Sequence, residues 1–311
     1  MTHRNRGPFE PADLPIFKGL AYHLGVPSSA IAKSILIVGD PTRAESIAEE
    51  HLEGIEARAE HRGLVTCTGR TRASGQRVTI TTSGMGAGSM EIVLNELAAL
   101  REIEMTTGTR QEVIEPITII RVGTSGALRQ DTPLGSAIVS SAAVGLDSTG
   151  WFYDVRSTAA EQDLANVARE RLESCLAEDH PARGMVHPYA ASACPEVVEA
   201  LLKSAHEYGV RVQKGVTVTA AGFFACQGRD VSRIPPAFPD LDRALANAPQ
   251  FCNLEMETSI LFRFSQGVGY RAGAICVAAA HRELNAFCED LQGALHGVVR
   301  VALRALLMLE R

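Results

Sequence analysis

No two of the seven cysteines in this 311-residue chain stand in Cys-x-x-Cys spacing, and their number is odd. That argues against a structural zinc site and against a disulfide framework, so reduced thiols in a cytoplasmic compartment and no bound metal are expected. No apolar run approaches the roughly 18 uninterrupted residues of a membrane helix. The opening "MTHRNRGPFEPADLP" lacks the apolar core of a secretory signal and reads, over residues 1–19, as a flexible arm. Positive charge is not in excess, with a formal net charge of −6, so no nucleic-acid-binding face is expected. Internal repeats and low-complexity tracts are lacking too. Aromatics are scarce at 5%, yet two of the ten phenylalanines, Phe223 and Phe224, are adjacent.

What is present is an ordinary globular composition, 46% hydrophobic and 21% charged. Short β-branched runs at 34–38, 77–82, 117–123, 135–144, 215–220 and 272–278 alternate with amphipathic ones near 41–50, 88–101, 159–177, 195–208, 254–266 and 289–309. The alternation predicts an α/β domain over 20–311 whose central strands are covered on both faces. The polar stretch 104–116 reads as a surface insertion. The segment 234–249, with four prolines, reads as a mobile loop or lid.

Three strand ends lead into glycine turns. In "ILIVGDPTRAE", Gly39 is followed by Asp40-Pro41 and by Arg43 in a first helical turn. Free N–H groups and the helix dipole there suit an oxyanion; the plain alternative is an ordinary N-cap with a solvated Arg43. In "TTSGMGAGSMEIVLNEL", Gly84, Gly86 and Gly88 approach a dinucleotide fingerprint, which would make the protein an NAD-dependent oxidoreductase. Ser89 stands where that fingerprint needs glycine, and Glu102 and Glu104 fall in the polar insertion, so a tight turn lining a pocket is the better reading. In "IIRVGTSGALRQ", Arg121 sits inside an apolar strand, where a charge is costly unless paired. Either Arg121 and the Gly123–Gly126 run converge on phosphate oxygens, or Arg121 forms a structural ion pair. Arg62 is a further candidate cation.

These segments together carry a resemblance. "YHLGV", "VGDPTR", "EHRG", "SGMGAGS", "RVGTSGA", "FFACQGR" and "NLEMET" are similar, in order and spacing over about residues 20–309, to the nucleoside phosphorylase family and within it to its bacterial-type uridine phosphorylases. The resemblance implies a single-domain three-layer α/β/α fold with a central mixed β-sheet. It implies a pentosyltransferase that splits uridine with phosphate into uracil and ribose 1-phosphate. Inorganic phosphate is a co-substrate, and no cofactor is called for. It implies a homo-oligomer, a dimer with shared active sites or a hexamer built as a trimer of dimers. Gly39, Arg43, Arg62, Arg121 and Thr124 would bind phosphate, Arg62 from across a subunit boundary. His23, Thr124, Glu255, Met256 and Glu257 would line the ribose, His23 reaching a neighbouring subunit's sugar. Phe223, Gln227, Arg229, Thr124 and Gly126 would hold the base, with Arg229, Gln227 and Arg121 carrying the catalysis.

The chemistry fits those residue types. Phosphate is already an anionic nucleophile, so it needs holding in line, a task for planar guanidinium forks. The transition state is oxocarbenium-like, and the departing uracil anion is stabilised by donors near its oxygens. One amide, Gln227, both donates and accepts, matching the O/N3–H edge of a pyrimidine. Glu255 and Glu257 cannot share a face of a regular helix. Glu257 is therefore assigned to the ribose diol, and Glu255 is left to line the sugar or to anchor backbone or a neighbouring arginine.

The chain also departs from the resembled pattern. Residues 278–281 are Ala-Ala-Ala-His, without the aspartate a purine enzyme uses. Ala279 and Ala280 replace larger aliphatics, so a pocket tolerant of 5-methyl pyrimidines is expected. Gly63 follows Arg62 where a cation-binding glutamate is usual, so a monovalent-ion site is expected to be absent or rebuilt. Other readings are a purine phosphorylase or nucleosidase of the same fold and a non-catalytic nucleoside-binding protein.

Overall fold

The computed structural model describes residues 7–10, 12–14 and 16–310; residues 1–6, 11, 15 and 311, and with them much of the expected arm, lie outside the described set. The chain forms two compact units, one of residues 1–84 with 89–119, the other of residues 85–88 with 120–311.

In the first unit a small hairpin, β1 (Ile16–Phe17) and β2 (Leu20–Ala21), precedes the buried strand β3 (Ser34–Val38). Helix α1 (Pro41–His51) follows, capped by Asp40, whose Oδ1 accepts from Thr42 N at 2.9 Å, with Pro41 in the first turn, where no N–H is needed. Strands β4 (Leu52–His61) and β5 (Leu64–Thr71) form a hairpin, and β6 (Arg77–Thr82) completes the order β3-β6-β5-β4. The β3–β6 pair is parallel and the others antiparallel. Helix α2 (Ala87–Glu102) runs on into a two-stranded ribbon, β7 (Ile103–Glu104) and β8 (Thr109–Arg110), which occupies part of the insertion expected over 104–116. Phe9 N donates to Gly108 O, so this piece of the arm is tied to the ribbon.

Strand β9 (Thr118–Ala127) carries the chain into the second unit. There follow β10 (Ala137–Gly145), α3 (Ala159–Glu173), β11 (Tyr189–Ser192), α4 (Pro195–Glu207), β12 (Val212–Thr219), α5 (Leu241–Ala246), β13 (Phe251–Glu255), α6 (Thr258–Val268), β14 (Arg271–His281), β15 (Ala286–Phe287) and α7 (Leu291–Leu309). The strand order is β15-β14-β10-β12-β13-β9, with β11 on β10, and β9 also meets β14, so five strands close on themselves. Leu172 of α3 and Leu241 and Leu245 of α5 pack with Val144, Val218 and Phe251 from the strands in one apolar cluster. Helix α7 is long and apolar enough, by length and composition, to cross a membrane. It packs on α4 and β14, with Val298, Val301, Ala302, Ala305 and Leu306 buried.

Three parallel strands end level with one another. Gly145 of β10 lies opposite Thr219 of β12, and Thr219 opposite Glu255 of β13. Antiparallel β9 brings Gly126 opposite Leu254. The carboxyl edge of parallel strands is where open α/β sheets take ligands, because backbone groups and side chains there have no further strand to satisfy them.

Two expectations change. The helix expected from 254 starts at Thr258, because residues 251–255 are a buried strand. The proline-rich 234–249 is not loop throughout: it contains α5, whose Leu241 and Leu245 are in the core.

Candidate active site

Arg121 is the centre of the second unit's polar interior. It is 4% exposed, and its guanidinium reaches Glu255 Oε2 at 3.2 Å, Glu257 Oε2 in a shorter contact, and Cys276 Sγ at 3.1 Å. Burial by itself would lower its pKa, but the charges of Glu255 and Glu257 outweigh that and raise it, so it stays cationic. Burial also pushes the Cys276 thiol up to about 11, against the opposing pull of Arg121. Gly123 explains how the guanidinium fits. A Cβ at that position would lie 2.8 Å from Arg121 Cζ, so only glycine lets the fork fold back over its own strand.

Both glutamates reach Arg121 because the segment between them is not helical. Glu255 ends β13 and Glu257 is the residue before α6, so the chain bends between them where a helix would have divided them. The Glu255 carboxylate is engaged inward: it accepts from Thr219 Oγ1 at 2.6 Å, Glu257 N at 3.0 Å, Thr258 N at 3.1 Å and Thr258 Oγ1 at 2.8 Å. It therefore anchors the α6 start and Arg121. Glu257 Oε1 accepts from Gly86 N at 2.7 Å. Met256 is half-buried, its Cε 3.8 Å from where a Gly86 Cβ would stand. The Gly86 amide thus serves a carboxylate, which would repel the pyrophosphate that a dinucleotide turn exists to bind. The NAD reading loses its basis.

A second group surrounds the turn after β12. Gln227 is 4% exposed and ends the short 3₁₀ turn Ala225–Gln227, just before Gly228. Arg229 lies over the Phe223 ring, 4.3 Å from its centroid, and its Nε donates to Phe223 O at 3.0 Å. Burial, and then the charge of Arg282, lower the Arg229 pKa, which an arginine withstands without losing its proton. Phe223 and Phe224 are both exposed and meet edge to face. Thr124 and Gly126 lie on β9 half-buried, and a Cβ on Gly126 would come 3.9 Å from Ala280 O on β14.

The remaining candidates lie in the first unit. Gly39 stands between β3 and α1, and Arg43 is half-buried in the first turn of α1. Arg62 and Gly63 are the two residues of the β4–β5 turn, with φ of +52° and +75°, since His61 pairs with Leu64. Two left-handed residues in a two-residue loop make the twist-matched hairpin turn and hold Arg62 at its tip, exposed. Arg62 Nη1 donates to the Tyr22 hydroxyl at 3.3 Å. Beside it His23 is half-buried, with Nδ1 2.6 Å from Glu96 Oε1, a carboxylate that also accepts from the N–H groups of His23 and Leu24. So within this unit His23 and Arg62 are brought together through Tyr22.

The phosphorylase superfamily profile matches residues 33–304, which include parts of both units. The chain belongs to that superfamily. A uridine phosphorylase of Thermococcus kodakarensis is 30% identical over 273 residues, 87% of this chain and 80% of that one. A purine nucleoside phosphorylase of the DeoD type from Bacillus subtilis is 25% identical over 92% of this chain and 99% of that one. Among solved structures, a Trypanosoma brucei nucleoside phosphorylase described as showing uridine phosphorylase activity superposes with a TM-score of 0.85 at 29% identity, covering 95% and 100% of the two chains. A structure from Phytophthora capsici, where two uridine phosphorylases were studied, shares the fold, with a TM-score of 0.69 at 24% identity over 93% and 94%. The superfamily's α/β fold with a central mixed sheet is the fold of this chain.

Sequence reasoning missed Arg282, whose Nη1 donates to Gln227 O at 2.5 Å and whose Nη2 donates to Gly228 O at 3.3 Å. Its one sequence signal is a cation directly after the apolar strand β14. Sequence reasoning also missed Asp147, which is buried, accepts from Thr149 N, Tyr189 and Ser259, and leads through Ser259 N and Thr219 to Glu255.

Proposed function

We propose that the protein is a uridine phosphorylase, a pentosyltransferase that converts uridine and inorganic phosphate to uracil and ribose 1-phosphate. The observation that carries the reading is the turn that sets Gln227 two residues from Arg229, whose guanidinium lies over the Phe223 ring. An amide both donates and accepts, and the O/N3–H edge of uracil matches both its halves.

In the second unit Arg121 and Thr124 are assigned to phosphate; in the first unit Gly39 and Arg43 carry the same assignment, and Arg62 is assigned to a neighbouring subunit's phosphate. A phosphate oxygen attacks C1′ while the C1′–N1 bond breaks and the bonding pair leaves with uracil. Positive charge then develops on the sugar above Glu257, whose oxygens retain lone pairs for the ribose diol beyond those given to Gly86 and Arg121. Arg229 faces the negative charge developing on the ring oxygens, which lowers the barrier more than it tightens ground-state binding. Glu255 lines the ribose side through Arg121 and the α6 start, and Met256 supplies apolar surface there.

The reading extends to assembly and pocket size. His23 and Arg62 sit together at the surface of the first unit, which supports their service to a neighbouring subunit's site in a dimer, with a trimer of dimers as the full assembly. The protein works in the cytoplasm with its seven thiols unpaired. Ala279 and Ala280 leave room at the ring for a 5-methyl group, so thymidine is expected to turn over alongside uridine. The test is ultraviolet absorbance during incubation with uridine, with and without phosphate. Phosphate-dependent release of uracil supports the proposal; phosphate-independent release, or release of base from inosine alone, overturns it.

A further inference from the structure

Helix α5 and the residues before it abut the base-recognition turn. Gly228, with φ of +70°, has no Cβ where one would lie 3.0 Å from Leu241 N and 3.0 Å from Phe238 O. The turn is thus pressed against the backbone of the 238–241 segment, and any larger residue would push it away. One residue on, Asp242 Oδ2 lies 3.3 Å from Arg282 Nη1, with only 13% of its side chain exposed. Arg282 in turn holds two successive carbonyls of the turn, those of Gln227 and Gly228. A guanidinium that spans two carbonyls fixes a peptide plane, and a carboxylate behind it fixes the guanidinium.

There is also a matter of charge. Arg229 and Arg282 are two cations on one short stretch of surface, and each disfavours the other. The Asp242 carboxylate offsets this repulsion. Without it Arg282 has less reason to stay in place beneath the turn.

We propose that Asp242 is a positioning residue for base recognition: through Arg282 it sets the peptide planes at Gln227 and Gly228, and so aims the Gln227 amide at the polar edge of the pyrimidine. The proline-rich segment 234–249 then acts as a buttress for specificity. The inference rests on the uridine phosphorylase reading and adds a residue that never touches the substrate.

The test measures equilibrium binding of uracil and of 3-methyluracil, whose N3 has no proton to give, to the wild-type protein and to Asp242→Asn, Asp242→Ala and Asp242→Glu, alongside steady-state kinetics. Wild-type protein is expected to prefer uracil, and the Asn and Ala variants to lose about tenfold of that preference, with the Glu variant recovering most of it. The uridine KM should rise by about tenfold while the phosphate KM changes by less than about twofold. A simple loss of folded protein would lower kcat for both without changing the ratio between the two bases. Unchanged discrimination in well-folded Asn and Ala variants overturns the proposal. Wild-type protein that binds neither base overturns the uridine reading itself, and this inference with it.

Discussion

At the scale of single residues, the polar interior depends on Arg121 having both glutamates and room to fold back. Arg121→Ala leaves two buried carboxylates facing each other, and breaking a buried pair costs about 3–5 kcal/mol. We expect Arg121→Ala to lower the denaturation midpoint in urea and to abolish phosphorolysis, while Arg121→Lys keeps the charge but loses the planar fork and stays at least about tenfold slower. Gly123→Ala is a finer probe, since it leaves every polar group in place and denies only space. It should cut kcat/KM by more than about tenfold as the guanidinium is displaced. Equal activity in Gly123→Ala would show that Arg121 has another home. Arg121 was legible as a cation in an apolar strand, and of its two readings the structure shows the ion pair, with Glu255 and Glu257. Gln227 was legible for its bifunctional amide. Arg282 was not, because a cation after a strand is ordinary until its carbonyl partners are known.

At the scale of elements, one side chain joins three. Glu161 closes the capping box of α3, where Thr158 N donates to its Oε2 at 2.9 Å and Glu161 N donates to Thr158 Oγ1 at 3.3 Å. Its other oxygen accepts from Ser192 N and Oγ on β11 and from Gln266 Nε2 on α6, each at 2.8 Å. Burial would raise its pKa, but the hydrogen bonds from Gln266, Thr158 and Ser192 outweigh it and lower the value. A folded-state pKa below the unfolded one means stability present above the ordinary carboxylate range and lost as pH falls through the lowered value. Glu161→Gln is therefore expected to destabilise by about 1–3 kcal/mol at neutral pH and to flatten the acid limb of the stability curve, both read from urea unfolding between pH 3 and pH 7. An acid limb identical to that of the wild type would remove Glu161 as its source. Strand β4 escaped sequence reading although Ile55 to Glu60 alternates apolar and charged residues, because the strand is mostly exposed and two of its apolar positions are only alanines. The sign that could have revealed the β4–β5 hairpin was the glycine at the second position of a two-residue turn.

Across the whole molecule, the seven thiols differ in accessibility. Cys226 is the exposed one, in the turn that carries Gln227, while Cys276 is buried with its thiol pushed to about 11. Alkylation of the native protein near pH 8 should label Cys226 first and leave Cys276 until unfolding, because thiolate and access are both required. Uridine should slow the labelling of Cys226, and mass spectrometry of peptides taken over time would show it. Labelling of Cys226 at the same rate with saturating uridine would place the base elsewhere.

The sequence by itself determined which segments are strands and helices where the apolar period was clean, as in β3, β6 and α1, because local patterning suffices there. It also determined the inventory of cations, carboxylates and the bifunctional amide, since side-chain chemistry does not depend on folding. Only the tertiary structure decided that Glu255 and Glu257 converge on Arg121, that the Gly86 amide serves a carboxylate, and that Asp242 stands behind Arg282. Those pairings join residues far apart in the chain, and strand register and the start of α6 bring them together; no local periodicity encodes either.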